Sequence, residues 1–358
     1  MLASVWFVLW GLLWAVYFML GGFDLGLGIM QPFVARSEQD RRMIGQAMGP
    51  YWNGNEVWLI AAGGVTFAAF PTTYAVMFSG LYSALMLILF GLILRGVALE
   101  FRHQSGSGAW KSLWDACLVV GSFLPAFLLG VAFANIFQGL PIDQDGVFRG
   151  TLWTLLNPYG LLGGLLFLLL FMEHGTLWLA VKTTGALHER AGQWAKGLWW
   201  ALAATAVGFL IATWYATRLY ANYLQNPMLF SVPIVLIPVV TVAALFGIRL
   251  FAAKNRWGRA WIASAVTIVG ATFFGVIGLY PNMLPSNLNP TYSLTVHNAA
   301  SSPLTLKIML VVAVIFVPVV IAYQSWAYKL FHHKVSEEDL AYEEAYGKQI
   351  PPVVSSNG

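Results

Sequence analysis

Charged side chains are scarce in this chain: Asp, Glu, Lys and Arg make up 9% of its 358 residues, where a soluble globular domain carries about 25%. That shortage excludes a cytosolic enzyme, a disordered regulator and a nucleic-acid binder. Cysteine is almost absent. Cys117, the only one, has no partner for an internal disulfide, and no C-x-x-C or Cys/His spacing marks a zinc site. The sequence has no Walker A motif, no G-x-S-x-G, no H-E-x-x-H and no G-x-G-x-x-G opening a helix. Histidine is sparse where it would count. A membrane cytochrome with haems stacked across a four-helix bundle needs paired intramembrane histidines, and only His174 falls inside an apolar run.

What the chain does have is apolar length. Hydrophobic residues make up 59% of it, and the mean hydropathy is +0.70. Nine apolar segments stand out, near 3–29, 55–77, 78–99, 115–138, 158–181, 197–220, 231–252, 258–280 and 303–329, each of a length that crosses a bilayer as a helix. Between the second and third, Phe70-Pro71-Thr72-Thr73 is an uncharged turn signal and predicts a tight outer hairpin. The first run lacks a basic n-region and is too long for a cleaved h-region, so it reads as a retained span. From His332 the character changes. Glu337, Glu338, Asp339, Glu343, Glu344 and a Pro351-Pro352 end predict an exposed tail, amphipathic or disordered.

Basic residues orient this array. With nine spans, 16 of the 19 Lys and Arg fall on the face holding the loops after spans 1, 3, 5 and 7 and the C-terminus, leaving Arg149, Arg218 and Lys307 opposite. The positive-inside rule then puts the N-terminus outside and the C-terminus in the cytoplasm. The expected fold is an all-α integral membrane protein with nine transmembrane helices. Gly22-x-x-x-Gly26 and Gly160-x-x-x-Gly164 are signals of close helix approach.

Ionisable groups inside such spans each cost about 2.5–3.5 kcal/mol at a helix centre and less near its end. Asp24 lies late in span 1, Glu56 opens span 2, Arg95 and Glu100 close span 3, and Asp115 opens span 4. All five fall in the cytoplasmic half of the first four helices. In an ideal helix Trp52, Asn53 and Glu56 share a face. Such a cluster suits proton conduction or anion coordination from the cytoplasm, because carboxylates relay protons when their surroundings shift their titration. The plainer reading is a set of neutralised pairs, with Arg95 balancing the acids. Glu173-His174 is the lone comparable site further on. There a histidine that merely donates to a neighbouring carbonyl competes with a ligand or a proton shuttle.

The residues also carry a family resemblance. Gly22-Phe23-Asp24-Leu25-Gly26-Leu27-Gly28 resembles the G-F-D-[LM]-G-[LV]-G run of cytochrome bd-type quinol oxidase subunit II. The stretch from Pro50 through Trp52-Asn53-Gly54-Asn55-Glu56-Val57-Trp58-Leu59, with Ala61-Ala62-Gly63-Gly64 and Phe67-Ala68-Ala69-Phe70-Pro71, is similar to that family's second-helix signature. Trp114-Asp115, Gly121-Ser122-Phe123-Leu124-Pro125 and Leu156-Asn157-Pro158-Tyr159-Gly160 are further echoes, closer in the N-terminal half than after about residue 180.

The resemblance implies two four-helix bundles plus one extra helix, here 1–139, 140–281 and 282–331, with a cytoplasmic tail at 332–358. It implies a heterodimer with subunit I in a bacterial or archaeal plasma membrane. That partner would carry the quinol site, two haems b and haem d, and the complex would reduce O2 to water with electrons from quinol, building a membrane potential without pumping. It leaves room for a structural quinone in this subunit and for small accessory transmembrane subunits. The chain would brace its partner, help admit oxygen and supply part of the proton route. Carried over residue by residue, Trp58 matches the tryptophan beside the proposed oxygen passage and Trp52 its partner. Asp24, Arg95, Glu100 and Asp115 match charged family positions. Some members have aspartate directly after the first tryptophan. Asn53 stands there and cannot titrate in this range, so Glu56, one turn on, is expected to take the role. The competing functions are a proton-coupled secondary transporter, which also wants intramembrane acids, and a purely structural assembly subunit.

Overall fold

The computed structural model of the chain describes residues 1–225, 232–338 and 340. It is built of helices: α1 (Leu2–Val34), α2 (Glu38–Met48), α3 (Trp52–Ala69), α4 (Pro71–Gly80), α5 (Tyr82–Phe101), α6 (Gly108–Gln138), α7 (Leu152–Leu155), α8 (Pro158–Lys182), α9 (Gly185–Ala216), α10 (Leu219–Gln225), α11 (Val232–Ala253), α12 (Trp257–Leu279) and α13 (Pro303–Leu330). Between α12 and α13, β1 (Asn282–Leu284) pairs antiparallel with β2 (Leu294–Thr295). Among the described residues eight helices are long and apolar enough to cross a membrane, namely α1, α5, α6, α8, α9, α11, α12 and α13. The chain is an all-α integral membrane protein.

Local chemistry starts these helices where the sequence allows. The Asn157 side chain accepts from the Gly160 N–H at 2.9 Å with Pro158 in the first turn of α8. Ser302 likewise caps α13 ahead of Pro303. Both pairs satisfy a first-turn N–H where proline has none to lose. The same preference alters the expected outer hairpin. Pro71 sits at the first position of α4 and opens a ten-residue helix instead of a tight turn, so the breaks fall at Phe70 and Leu81, not near residue 77. A further helix, α2, was not expected. Ser37 and Asp40 cap it reciprocally, and that S-x-x-D spacing was the signal for it.

α1 is the shared core element, packed on α3 and α6 and also on α8 and α12. Its contact with α8 depends on glycine. A Cβ on Gly26 would stand 1.7 Å from the Phe171 carbonyl oxygen, and one on Gly175 would stand 2.6 Å from the Leu27 nitrogen. Neither backbone can retreat without parting the helices. α13 is the opposite case. Leu306 is its only buried residue, and four polar contacts hold it: Trp6 Nε1 donates to the Leu306 carbonyl, Trp58 Nε1 to Gln324, Gln324 Nε2 to the Gly54 carbonyl, and Tyr328 to Asn55. Beyond it, Lys182 donates to the Phe331 and His333 carbonyls, and the Val335 N–H donates to the Lys182 carbonyl at 2.7 Å. Glu337 and Glu338 are exposed. Asp339, Glu343, Glu344 and Pro351-Pro352 of the expected tail lie outside the described residues.

Candidate functional site

The stripe of α3 that faces inward is Asn55, Trp58, Ala62, Thr66 and Ala69, stepping by three and four residues as one helical face must. Asn55 therefore points at α1, and Asn53, two residues earlier and on the far side, is exposed. Asn55 Nδ2 donates to Asp24 Oδ2 at 2.7 Å and to the Leu20 carbonyl at 3.2 Å. Arg95 enters from α5. Its Nη1 donates to Glu56 Oε1 at 2.9 Å, and its Nη2 stands 3.9 Å from Asp24 Oδ2. Tyr17, two turns before Asp24 on α1, donates to Glu56 Oε2 at 3.4 Å. Asp24 and Arg95 are each 1% exposed and Glu56 18%. The Trp52 ring lies 5.9 Å from the guanidinium carbon.

Asp24, Glu56 and Arg95 thus form one site, as the clustering of charges predicts. Asn55, Tyr17 and Tyr328 belong to it and escaped sequence reasoning. The Asn53/Asn55 pair offered no way to choose between its members. Gln324 and Tyr328, one turn apart after a long apolar run in α13, are a usable signal. Trp58 donates to Gln324 Oε1 at 2.9 Å, and Gln324 Nε2 returns a bond to the Gly54 carbonyl at 2.8 Å, so this tryptophan ties α3 to α13.

Asp115 belongs to a second cluster at the helix ends. It accepts from Arg102 Nε at 2.6 Å and from Gln31 Nε2 at 2.7 Å, with Arg41 3.4 Å away. Arg102 also binds Glu38 through both terminal nitrogens, at 3.0 and 2.9 Å. The hydrogen bonds from Arg102, joined by Lys111, hold the Glu38 carboxyl down at about 2. Glu100 is exposed on the last turn of α5 and joins neither cluster.

His174 is committed on all sides. Nδ1 is 3.0 Å from Ser264 Oγ, Nε2 is 3.0 Å from the Met19 carbonyl, and the ring stacks on Trp261 at 5.1 Å. With both nitrogens in use it offers no lone pair to iron. Among the described residues no three His, Cys, Asp or Glu gather in a metal-binding arrangement. These residues do not fit a haem. The neighbouring Glu173 is fully buried, and neither of its oxygens has a hydrogen-bond partner. A cavity of about 230 Å³ lies between α6, α8, α9, α11 and α12, walled by side chains such as Phe133, Leu166, Phe209 and Ile268. The threonines in its wall, Thr241, Thr267 and Thr272, each donate to a carbonyl of their own helix. The space suits a hydrocarbon chain more than a polar head.

The family model for cytochrome bd terminal oxidase subunit II matches residues 2–331. The chain is 33% identical to cytochrome bd ubiquinol oxidase subunit 2 of Bacillus subtilis, over 94% of this chain and 98% of that one. It is 34% identical to a probable cytochrome oxidase subunit 2 of Haemophilus influenzae, over 92% and 94%. It is 32% identical to cytochrome bd-I ubiquinol oxidase subunit 2 of Escherichia coli, over 95% and 96%. In fold it is similar to a chain of the bd oxidase structure from Geobacillus thermodenitrificans, with a TM-score of 0.73, 17% identity, and coverage of 92% of this chain and 98% of that one. The match runs through every helix that positions the two charged clusters, and the chain belongs to the cytochrome bd terminal oxidase subunit II family.

Proposed function

We propose that this subunit carries no redox centre of its own, braces the haem-bearing subunit I, and takes protons from the cytoplasm toward the site of O2 reduction through Asp24, Glu56 and Arg95. Quinol oxidation to quinone releases two protons and two electrons. Two such turnovers supply the four electrons that, with four protons from the inside, turn O2 into two waters. The observation that carries this reading is the charge count at the α1–α3–α5 junction. A buried carboxyl, Asp24, and a half-buried one, Glu56, face one guanidinium, so with both ionised the set bears one uncompensated negative charge. A net charge in apolar surroundings is costly, and a proton is the simplest counter-charge. Asn55 and Tyr17 aim hydrogens at the two carboxylates, which fixes their geometry while a proton comes and goes. Asn53 could not do this work, and Glu56 takes the role expected of an aspartate there.

The rest follows from that assignment. We place nine spans in the membrane, with α3 the second, the N-terminus outside and the C-terminus in the cytoplasm. α1, α3, α5 and α6 form the first bundle, α8, α9, α11 and α12 the second, and α13 is the extra helix. Glu56 is partly exposed on the outer wall of α3. Lipid would leave the exposed side of that carboxyl unsolvated, which supports coverage of this wall by subunit I. With His174 spent inside the fold, the haems b and d belong on that partner. The oxygen passage is assigned to the wall holding Trp52 and Trp58, and the apolar cavity could take the tail of a structural quinone. The plasma membrane of a bacterium or archaeon is the expected setting, with small accessory subunits on the lipid-facing helices.

The test is the Glu56→Gln variant of the assembled complex. O2 turnover is expected to fall by about tenfold or more with haem absorption intact. Wild-type turnover in that variant would leave the subunit with an assembly role alone.

A further inference from the structure

Several buried polar atoms of the first bundle have no hydrogen-bond partner, and five of them gather along one seam. Asp24 Oδ1, Gln31 Oε1, Ser122 Oγ, and Arg95 Nε and Nη2 are all in this state. Asp24, Gly28 and Gln31 stand at i, i+4 and i+7 and share one face of α1. Ser122 and Asp115 are two turns apart on α6, and Arg102, just past the end of α5, is seven residues on from Arg95. These faces meet. A Cβ on Gly28 would stand 2.0 Å from Ser122 Oγ, and one on Gly121 would stand 2.7 Å from the Arg95 nitrogen. Gln31 reaches Asp115 at 2.7 Å, and Arg102 reaches it at 2.6 Å. The seam therefore has a charged end at the cytoplasmic helix termini, a charged end in the membrane at Asp24 and Arg95, and small residues between them: Gly28, Ala98 and Ser122.

Buried polar groups without protein partners are sites for ordered water. The two ends are seven residues apart on each helix, about 10 Å. At hydrogen-bond spacing, a file joining the two ends would need about two or three waters alongside the Ser122 hydroxyl. Leu27, Met30 and Leu118 are buried beside the seam and keep such a file narrow.

We propose that the α1–α5–α6 seam carries a file of buried water from the Asp115–Arg102 cluster to Asp24, with Gln31 and Ser122 as its positioning residues. The inference rests on the proton-uptake reading above and gives it an entrance lying wholly within this subunit. Protons enter at the Asp115 end, pass along the water file, and reach the Asp24–Glu56 pair. Ser122 both donates to and accepts from neighbouring waters, which is what a relay element needs.

The test uses the assembled oxidase in vesicles, following the voltage that accompanies proton uptake after O2 is mixed with the reduced complex. Ser122→Val, which replaces the hydroxyl with a methyl-lined plug, is expected to slow that phase by about tenfold, with haem absorption and electron entry unchanged. Cys117→Ser, outside the seam, is expected to behave as wild type. If Glu56→Gln slows uptake and Ser122→Val does not, the seam falls and the proton-uptake reading stands. If neither does, both fall. A second measurement covers a Ser122→Val variant that fails to assemble: in Ser122→Cys with Cys117→Ser, infrared S–H to S–D exchange in heavy water reports water at position 122. Exchange within minutes supports the file, and protection over many hours overturns it.

Discussion

Asn55 is the residue on which the buried cluster turns. It holds Asp24 from one side while Arg95 approaches from the other, and it also accepts from Tyr328 of α13 at 3.0 Å. Asn55→Leu removes a donor from a buried carboxylate, and such losses cost about 1–3 kcal/mol. The purified complex should melt at a lower temperature, which a thermal scan of haem absorption would show. Asn53→Leu should leave the melting temperature where it was, because that side chain faces outward. Arg95 makes a sharper case. Arg95→Leu strips the cation from the buried Asp24 and the half-buried Glu56, and breaking a buried pair in this way costs about 3–5 kcal/mol. No assembled complex is expected from that single change. Adding Asp24→Asn and Glu56→Gln removes the stranded charge and should restore haem-containing complex, though not its proton uptake. Immunoblots of both subunits and an absorption spectrum distinguish these outcomes.

Among the elements, α2 and α13 are held by polar contacts more than by burial. α2 is pinned through Glu38 to Arg102 and Lys111, and through Asp40 to Arg190 at 2.6 Å. Glu38 has its carboxyl lowered from 4.5 to about 2, so the stabilisation it provides is present above its unfolded value and fades as pH falls toward 2. Its side chain is 41% exposed, so the contribution is screened by solvent. Limited proteolysis of the Ser37–Met48 segment should accelerate between about pH 4.5 and pH 2 and also with rising salt. Unchanged cleavage over that range would mean the burial of Met43, Ile44 and Met48 alone suffices. For α13, Gln324→Leu breaks two of its three bonds to α3 at once and leaves only Tyr328 on Asn55. Cleavage near Phe331 should then become faster.

These elements also show what the sequence makes legible and where it stops. Long apolar runs and their basic flanks announce the spanning helices, because hydropathy over a whole turn-by-turn window tolerates small errors. The Asp24–Glu56–Arg95 site was visible because charges in apolar helices are rare and costly. The inward choice of Asn55 over Asn53 was not visible. Two asparagines two residues apart fit any rotation of α3, and only its packing on α1 fixes which one turns inward. Asp115 and Glu100 read alike as charges at span ends, yet Asp115 faces Gln31 and Arg102 while Glu100 faces out. α4 was missed because Pro71 signals a turn and a helix start equally well.

The whole molecule is organised around α1, which contributes Asp24 and Tyr17 to the charged cluster and receives His174 of α8 on its Met19 carbonyl. At Gly26 α1 meets the Phe171 carbonyl of α8 with no room for a Cβ. Gly26→Ala should therefore abolish the assembled oxidase, whereas Gly197→Ala, in open space on α9, should not. The proposed function divides the labour of the complex, with electrons on the partner and protons through this chain. The most direct measurement is the membrane potential built by vesicles holding the assembled complex, driven by quinol and O2, with Asp24→Asn and Glu56→Gln combined. The account predicts full haem absorption with O2 consumption and potential both reduced by about tenfold or more. A complex with both substitutions that consumes O2 and builds potential at wild-type rates would contradict it.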